Sequence, residues 1–368
     1  MSSNKFKHIV IIHKAMFHKR PPVISALMII NSLGYNVSLC TTGISDDWKK
    51  FLQSKNISCC IIKDLKSKSV FSKIYSYIRF RINVYQYIKQ FCTQDTLLWV
   101  EGAYTIVSLG IKLNQYKHIL QIQELHENSK IQLHAISKVL KTSLAVFMPE
   151  YNRTVLYKIW FKLNKKPYVL PNKPFFIPTA KELDLIQTKY AAILQSLKNK
   201  KIILYQGHIG HDRDLSNYVK AIASMDGEYV MVLMGTDYGM LEKYKVFNSN
   251  IVHIDYIPAP DYLIFTRMAY IGIVSYNFTS LNNAYCAPNK IWEYASFGCP
   301  MIGNDIPGLR YTIFQYGAGE SVDETSILSI KQAIMKINKE YDKYSEKSRI
   351  FYNSIDNKKI ISEVLSSI

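Results

Sequence analysis

The 368-residue sequence has no apolar run approaching the roughly 18 to 20 residues that cross a bilayer. Its first apolar stretch, HIVIIH at 8–13, is too short for a secretory signal, so a cytosolic and unprocessed chain is expected. Zinc-type spacing is missing as well. The six cysteines, at 40, 59, 60, 92, 286 and 299, form no Cys-x-x-Cys pair and are read as reduced thiols that mostly pack. There is no internal repeat or low-complexity segment, and 48% hydrophobic with 20% charged residues excludes a mainly disordered chain. Acidic residues are scarce in one half only. Through Asn172 there are 25 Lys+Arg against 8 Asp+Glu, a net charge of +17, whereas the remainder holds 21 against 20, a net charge of +1. The first half is therefore built to face an anionic partner.

The length corresponds to about two domains, and strand candidates alternate with helix candidates along it. KHIVIIH (7–13) reads as a buried strand. Pro21-Pro22 opens a helix that Gly34 closes in the left-handed manner, and YNVSLC returns as a strand. LLWV (97–100), HILQI (118–122), SLAVFM (143–148) and PYVL (167–170) continue the series. After the Pro-rich NKPFFIPT a second series follows: KIILYQ (201–206), EYVMVLM (228–234), IVHIDY (251–256), YIGIVS (270–275) and PMIG (300–303). The pattern predicts two doubly wound parallel α/β domains joined near 172–180, with a helical tail from about 324.

Open sheets of this kind bind ligands beyond the carboxyl ends of their strands, which directs attention to APNKIWEYASFGCPMIGNDIPG at 287–308. A Pro-Asn turn precedes a helix carrying Lys290 and Glu293 one turn apart. The helix start and Lys290 suit a diphosphate, and the carboxylate suits two ribose hydroxyls. The alternative is an ordinary surface pair at i,i+3.

The segment resembles the nucleotide-sugar binding segment of GT-B glycosyltransferases, specifically the large family-4-like group. Lys290, Glu293, Tyr294, Ala295-Ser296, Gly298-Cys299-Pro300 and Asn304-Asp305-Ile306-Pro307-Gly308 follow that family's order. ILYQGHIGHDRDL (203–215) resembles its strand, Gly loop and basic residue; PYVLPNKP (167–174) its interdomain Val-x-Pro-Asn segment; SLGYNVSLCTT (32–42) an acceptor-side strand. HILQIQELHE (118–127) resembles the strand and loop whose His points into the interdomain cleft. One departure stands out: the family's first glutamate, eight positions before Glu293, is replaced by Tyr285.

The resemblance implies a GT-B fold, α/β with two Rossmann-like doubly wound domains facing a central cleft. Residues 1–172 would bind the acceptor, 173–345 the nucleotide sugar, and 346–368 would return as a helix to the first domain. It implies sugar transfer to a lipid-linked or polysaccharide acceptor in bacterial cell-surface glycan synthesis. His126 and Glu127 become catalytic candidates. Gly207, Arg213, Tyr256, Ile257, Tyr285, Pro288, Asn289, Lys290 and Glu293 become donor-binding candidates, with main-chain N–H groups around Tyr285–Pro288 able to replace the missing glutamate. Arg213, Lys290 and the helix start would stabilise the departing phosphate without a metal or other cofactor. A silent sugar-nucleotide-binding or partner subunit, and a sugar-nucleotide epimerase, stay open as alternatives.

Two further strings mislead. HIGH at 208–211 and KSKS at 66–69 match aminoacyl-tRNA synthetase signatures in the wrong order, so no nucleic-acid partner is expected. Asp212-Arg213-Asp214 resembles a metal motif but opens a helix, where capping by Asp212 or Asp214 is expected. The basic half concentrates its charge in 63–89, with seven Lys/Arg and six aromatics, and in 153–166, with five Lys/Arg and three aromatics. Basic, aromatic helices lie in membrane interfaces, so peripheral docking on the anionic inner face of the cell membrane is expected.

Overall fold

Every strand pair in the structure is parallel, as buried apolar runs linked by long crossovers require. The computed structural model describes residues 5–64, 69–91, 93–225 and 227–368. The chain divides into two units, Met1–Phe175 with Asp356–Ile368, and Phe176–Ile355.

The first unit carries β1 (His8–Met16), β2 (Asn36–Gly43), β3 (Ser58–Ile61), β4 (Thr96–Glu101), β5 (His118–Gln121), β6 (Ala145–Met148) and β7 (Tyr168–Val169). They are ordered β3-β2-β1-β4-β5-β6-β7. Ile9, Val10, Ile11 and Ile12 of β1 are fully buried, because a central parallel strand is covered on both faces. The helix Pro21–Ser32 starts with its prolines at the first positions and ends before Gly34, whose φ is +86°. The final helix, Asn357–Ser367, belongs to this unit. Asp356 accepts from the Lys358 and Lys359 amides at its start, and Asn357 Nδ2 donates to Pro171 O at 2.8 Å. Its Ile361, Val364 and Leu365 are buried in the core with Leu27 and Ile30, each contributing about 1.5–3 kcal/mol.

The second unit carries β8 (Lys201–Gln206), β9 (Tyr229–Met234), β10 (Val252–Ile254), β11 (Ala269–Val274), β12 (Met301–Asn304) and β13 (Gly319–Val322), ordered β10-β9-β8-β11-β12-β13. Two strands escape the sequence reading. β3 is a short edge strand, SCCI, with no buried residue, and β13, GESV, is half polar; neither makes an apolar run.

The chain also crosses back later than residue 346. The helix Tyr341–Asn353 stays on the second unit, where Phe351 stacks on Trp292 at 4.4 Å and Ser348 Oγ donates to Cys299 O at 3.1 Å. The first boundary falls after Phe175 rather than Asn172, since the Phe175 amide donates to Ser25 Oγ of the first unit at 2.9 Å.

Candidate functional site

In the second unit the strand order reverses between β8 and β11, and the chemistry gathers where those strands end. The helix Asn289–Ser296 begins there. Pro288 holds the extended backbone of an N-cap, and Gly298 at φ +70° ends the turn, where a Cβ would meet the Arg349 guanidinium at 2.7 Å. Six of its eight residues, Lys290 to Ala295, are buried. Trp292 and Tyr294 take the apolar faces; the Tyr294 hydroxyl donates to Leu204 O at 2.9 Å, and its ring fills space that a Cβ on Gly272 would occupy. Lys290 and Glu293 are thus carried into the interior, and the surface-pair alternative is excluded.

Glu293 is held by two donors that the sequence reading missed. Gln206 Nε2, at the end of β8, donates to one carboxylate oxygen, and the Tyr262 hydroxyl donates to the other at 2.5 Å. Thr266 Oγ1 donates to Gln206 Oε1 at 2.8 Å and fixes which way that amide points. Burial pushes the Glu293 carboxyl above its usual range, against the hydrogen bond from Tyr262 and the charge of Lys290. Each oxygen keeps a free lone pair, so the anchored carboxylate can still accept hydroxyl donors.

Lys290 stands in contrast. Its ammonium nitrogen is buried without a hydrogen-bond partner among the described residues, and lies 4.2 Å from the centroid of Tyr205. Burial first, and the neighbouring Arg213 charge second, drive its pKa well below the ordinary lysine value, with Glu293 opposing. Arg213 stacks over Tyr276 at 4.3 Å. Two adjacent basic side chains, one of them without a hydrogen-bond acceptor among the described residues, line a recess whose chemistry suits an anion.

Backbone geometry shapes the same recess. Gly207 adopts φ +142°, its amide donates to Met234 O at 2.9 Å, and a Cβ on it would lie 3.2 Å from Lys290 Nζ. A Cβ on Gly235 would sit 1.9 Å from Gly207 O, so both positions need glycine.

The remaining candidates divide. Tyr256 is exposed, while Ile257 is packed into the core with Trp292. Tyr285 ends the short helix Leu281–Ala284; its amide donates to Leu281 O at 2.9 Å and that of Cys286 to Asn283 O at 3.1 Å. Those two N–H groups close the turn that leads into Pro288. Asp214 Oδ1 accepts from the Ser216 amide at 2.8 Å, although the helix Ser216–Ala223 has Leu215 as its N-cap; Asp212 pairs with His208. The Asp212-Arg213-Asp214 carboxylates thus serve separate local networks. Among the described residues no group of three or more His, Cys, Asp or Glu is arranged for a metal.

His126 and Glu127 belong to the first unit, in the loop after β5. His126 adopts the left-handed φ of +59°, and burial lowers its pKa against the charge of Glu124. The loop is held by Arg153, whose guanidinium donates to Gln123 O, and by Tyr157, whose hydroxyl donates to Leu125 O at 3.2 Å. Arg153 and Tyr157 were expected to face a membrane; both are buried, and this part of 153–166 is structural. In 63–89, residues 65–68 lie outside the described residues, as does most of the KSKS string.

No protein-family model matches the chain, and no curated protein matches it. Solved structures do. Anabaena HepE in complex with UDP and glucose superposes with a TM-score of 0.73 at 11% identity, covering 98% of this chain and 100% of that one. A glycosyltransferase from Rickettsia africae gives 0.71 at 14% identity, covering 99% of both chains. WaaG, a glycosyltransferase involved in lipopolysaccharide biosynthesis, gives 0.65 at 13% identity, covering 98% of this chain and 99% of its own. At such identities the likeness is one of fold, and that fold is the two-sheet GT-B architecture.

Proposed function

We propose that this chain is a nucleotide-sugar-dependent glycosyltransferase of the family-4-like kind. The observation that carries the reading is the buried, unpartnered Lys290 beside Arg213, one helical turn from the anchored Glu293 carboxylate. A diphosphate supplies the acceptors that Lys290 lacks, and the attached ribose places hydroxyls at Glu293. In the reaction the bond between the sugar anomeric carbon and the diphosphate oxygen breaks. The acceptor oxygen bonds to that carbon, its proton leaves, and nucleoside diphosphate is released. Lys290, Arg213 and the helix start take up the charge developing on the leaving group, so no metal is required. His126 and Glu127 contact the sugar or the acceptor. The fold likeness to Anabaena HepE, solved with UDP and glucose, is in keeping with a nucleotide-sugar site in this chain.

The acceptor in this reading is a lipid-linked or surface glycan, reached by docking on an anionic leaflet. The helix Val70–Lys89 supports this. Val70, Phe71, Ile74, Tyr75, Ile78 and Ile82 are exposed on it, with Lys73 and Lys89 also exposed, in the half of net charge +17. Sedimentation with phosphatidylglycerol vesicles at low salt, lost in Phe71→Asp, is expected; failure of the wild type to pellet refutes the docking.

The test of the transferase is thermal stabilisation by UDP, GDP, CMP and ADP and their common sugars, without added metal, on wild type and Glu293→Ala. One nucleotide should stabilise the wild type selectively, and its sugar conjugates should then serve as donors. No shift with any of them at millimolar ligand refutes the reading.

A further inference from the structure

Two neighbouring strands of the first sheet, β2 and β3, carry three of the six cysteines, and the pleat sorts them by face. β3 is the edge strand and pairs only with β2, in the register Ser38↔Ser58, Leu39↔Cys59, Cys40↔Cys60 and Thr41↔Ile61. Successive side chains of a strand point to opposite faces. Cys59 therefore joins Leu39 against the core that the final helix completes, whereas Cys60 lies beside Cys40 on the other face.

The row to which Cys40 and Cys60 belong is polar. One step back along it, His8 Nε2 lies 2.8 Å from Ser38 Oγ, Ser38 Oγ 2.7 Å from Ser58 Oγ, and Ser58 Oγ 3.0 Å from the Tyr87 hydroxyl. Register partners on this face thus bring their side chains into contact. The next pair does so through sulfur, the Cys40 thiol donating a hydrogen bond to Cys60. On its other side Cys40 neighbours Ile12 of β1, so the strand neighbour that offers it a sulfur is Cys60.

The two thiols differ in access. Cys40 is fully buried, and burial pushes its thiol well up. Cys60 is half-buried on the edge strand, and the hydrogen bond from Cys40 holds its thiol below the usual value against that burial. Adjacent strands run about 4.8 Å apart, inside the roughly 4.4–6.8 Å between Cα atoms that a disulfide spans. A partly accessible sulfur with thiolate character, beside a sheltered second thiol, is the arrangement of a peroxide-sensitive pair.

We propose that Cys60 and Cys40 are a modification site, a dithiol that hydrogen peroxide converts to an intrachain disulfide tying the edge strand β3 to β2. The Cys60 thiolate attacks one peroxide oxygen. The O–O bond breaks, hydroxide leaves with the proton that Cys60 had given up, and Cys60 becomes a sulfenic acid. The Cys40 sulfur then attacks the Cys60 sulfur, the S–O bond breaks, and the departing hydroxide takes the Cys40 proton as water. Two thiols lose two hydrogens, and one peroxide becomes two waters. Thiol–disulfide exchange with a reducing thiol reverses the change.

The test treats folded, reduced full-length wild type, Cys40→Ala, Cys59→Ala and Cys60→Ala with hydrogen peroxide, with and without dimedone. Peptides are then mapped by mass spectrometry without reduction. Wild type and Cys59→Ala should give a linked species, two hydrogens lighter, that joins the segment holding Cys40 to the one holding Cys60, and dithiothreitol should undo it. Cys60→Ala should lose the link. Cys40→Ala should lose it too, with its Cys60 trapped by dimedone as the sulfenic acid. A wild type that keeps both thiols under peroxide treatment that fully oxidises free glutathione overturns the inference. So does a link that persists at wild-type yield in Cys60→Ala or vanishes in Cys59→Ala. If the variants fail to fold, the wild-type map decides, and fragmentation that places the link on Cys59 overturns the inference.

Discussion

Replacing Lys290 with Met exchanges a buried, unpartnered amine for an apolar side chain of similar length. Apolar replacement of buried ionic groups ranges from neutral to about 4 kcal/mol stabilising. Against this, the contact with the Tyr205 ring at 4.2 Å is lost, a cation–π term of up to ~2 kcal/mol when desolvated. The balance is a gain of about 1 kcal/mol, or ~2–4 °C for a unit of this size. Nucleoside diphosphate binding moves the other way. Losing a hydrogen bond to a charged group costs about 1.5–3 kcal/mol, which is roughly 10- to 150-fold in affinity. Scanning calorimetry without ligand and isothermal titration with UDP, GDP and ADP read the two effects. The sign with pH is also fixed. Native Lys290 titrates well below 10.5, so between that depressed value and 10.5 the unfolded chain binds the extra proton. Wild-type stability therefore rises with pH across that window, and the advantage of the Met variant shrinks as pH approaches 10.5. A variant that melts below the wild type at neutral pH and binds nucleotide equally well refutes the reasoning.

An anion beside Lys290 should raise its depressed pKa again, so nucleotide binding should take up protons; titration in buffers of different ionisation enthalpy measures this, and identical heats contradict it. Glu293→Gln keeps an acceptor for only one of the two donors, Gln206 Nε2 and the Tyr262 hydroxyl, and the lost hydrogen bond should lower stability by ~1–2 kcal/mol in chemical denaturation; an unchanged midpoint would mean that the Tyr262 hydroxyl turns to accept from the new amide. Gly235→Ala drives a Cβ into Gly207 O, 1.9 Å away, and should destabilise the second unit by ~1–3 kcal/mol while weakening nucleotide binding; a variant with wild-type melting and binding would show that the loop yields. Leu365→Ala removes a side chain buried in the first core and should cost ~2–5 kcal/mol on the transition of the first unit, with nucleotide stabilisation of the second retained.

The sequence by itself determined the parallel α/β class, the succession of buried strands and the presence of two sheets. Apolar runs and the Pro and Gly positions that bound helices are local signals, and their spacing does not depend on what the segment packs against. It also determined that Lys290 and Glu293 lie one turn apart, because helical periodicity is local too. Tertiary structure decided whether that turn faced solvent or the interior. Gln206, Tyr262 and Thr266, which anchor Glu293, are distant in sequence from it, and only the register of β8 with β11 and the helix lying over them brings the four together. The one available signal was a glutamine closing an otherwise apolar strand. Arg153 and Tyr157 failed as surface residues for the same reason: composition marks a basic, aromatic stretch, but hydrogen bonds to Gln123 and Leu125 turn these two inward. His13 follows the apolar run of β1 and Glu101 ends β4, without comment in the sequence. Their meeting follows from the side-by-side register of β1 and β4, a non-local pairing that no run of adjacent residues encodes.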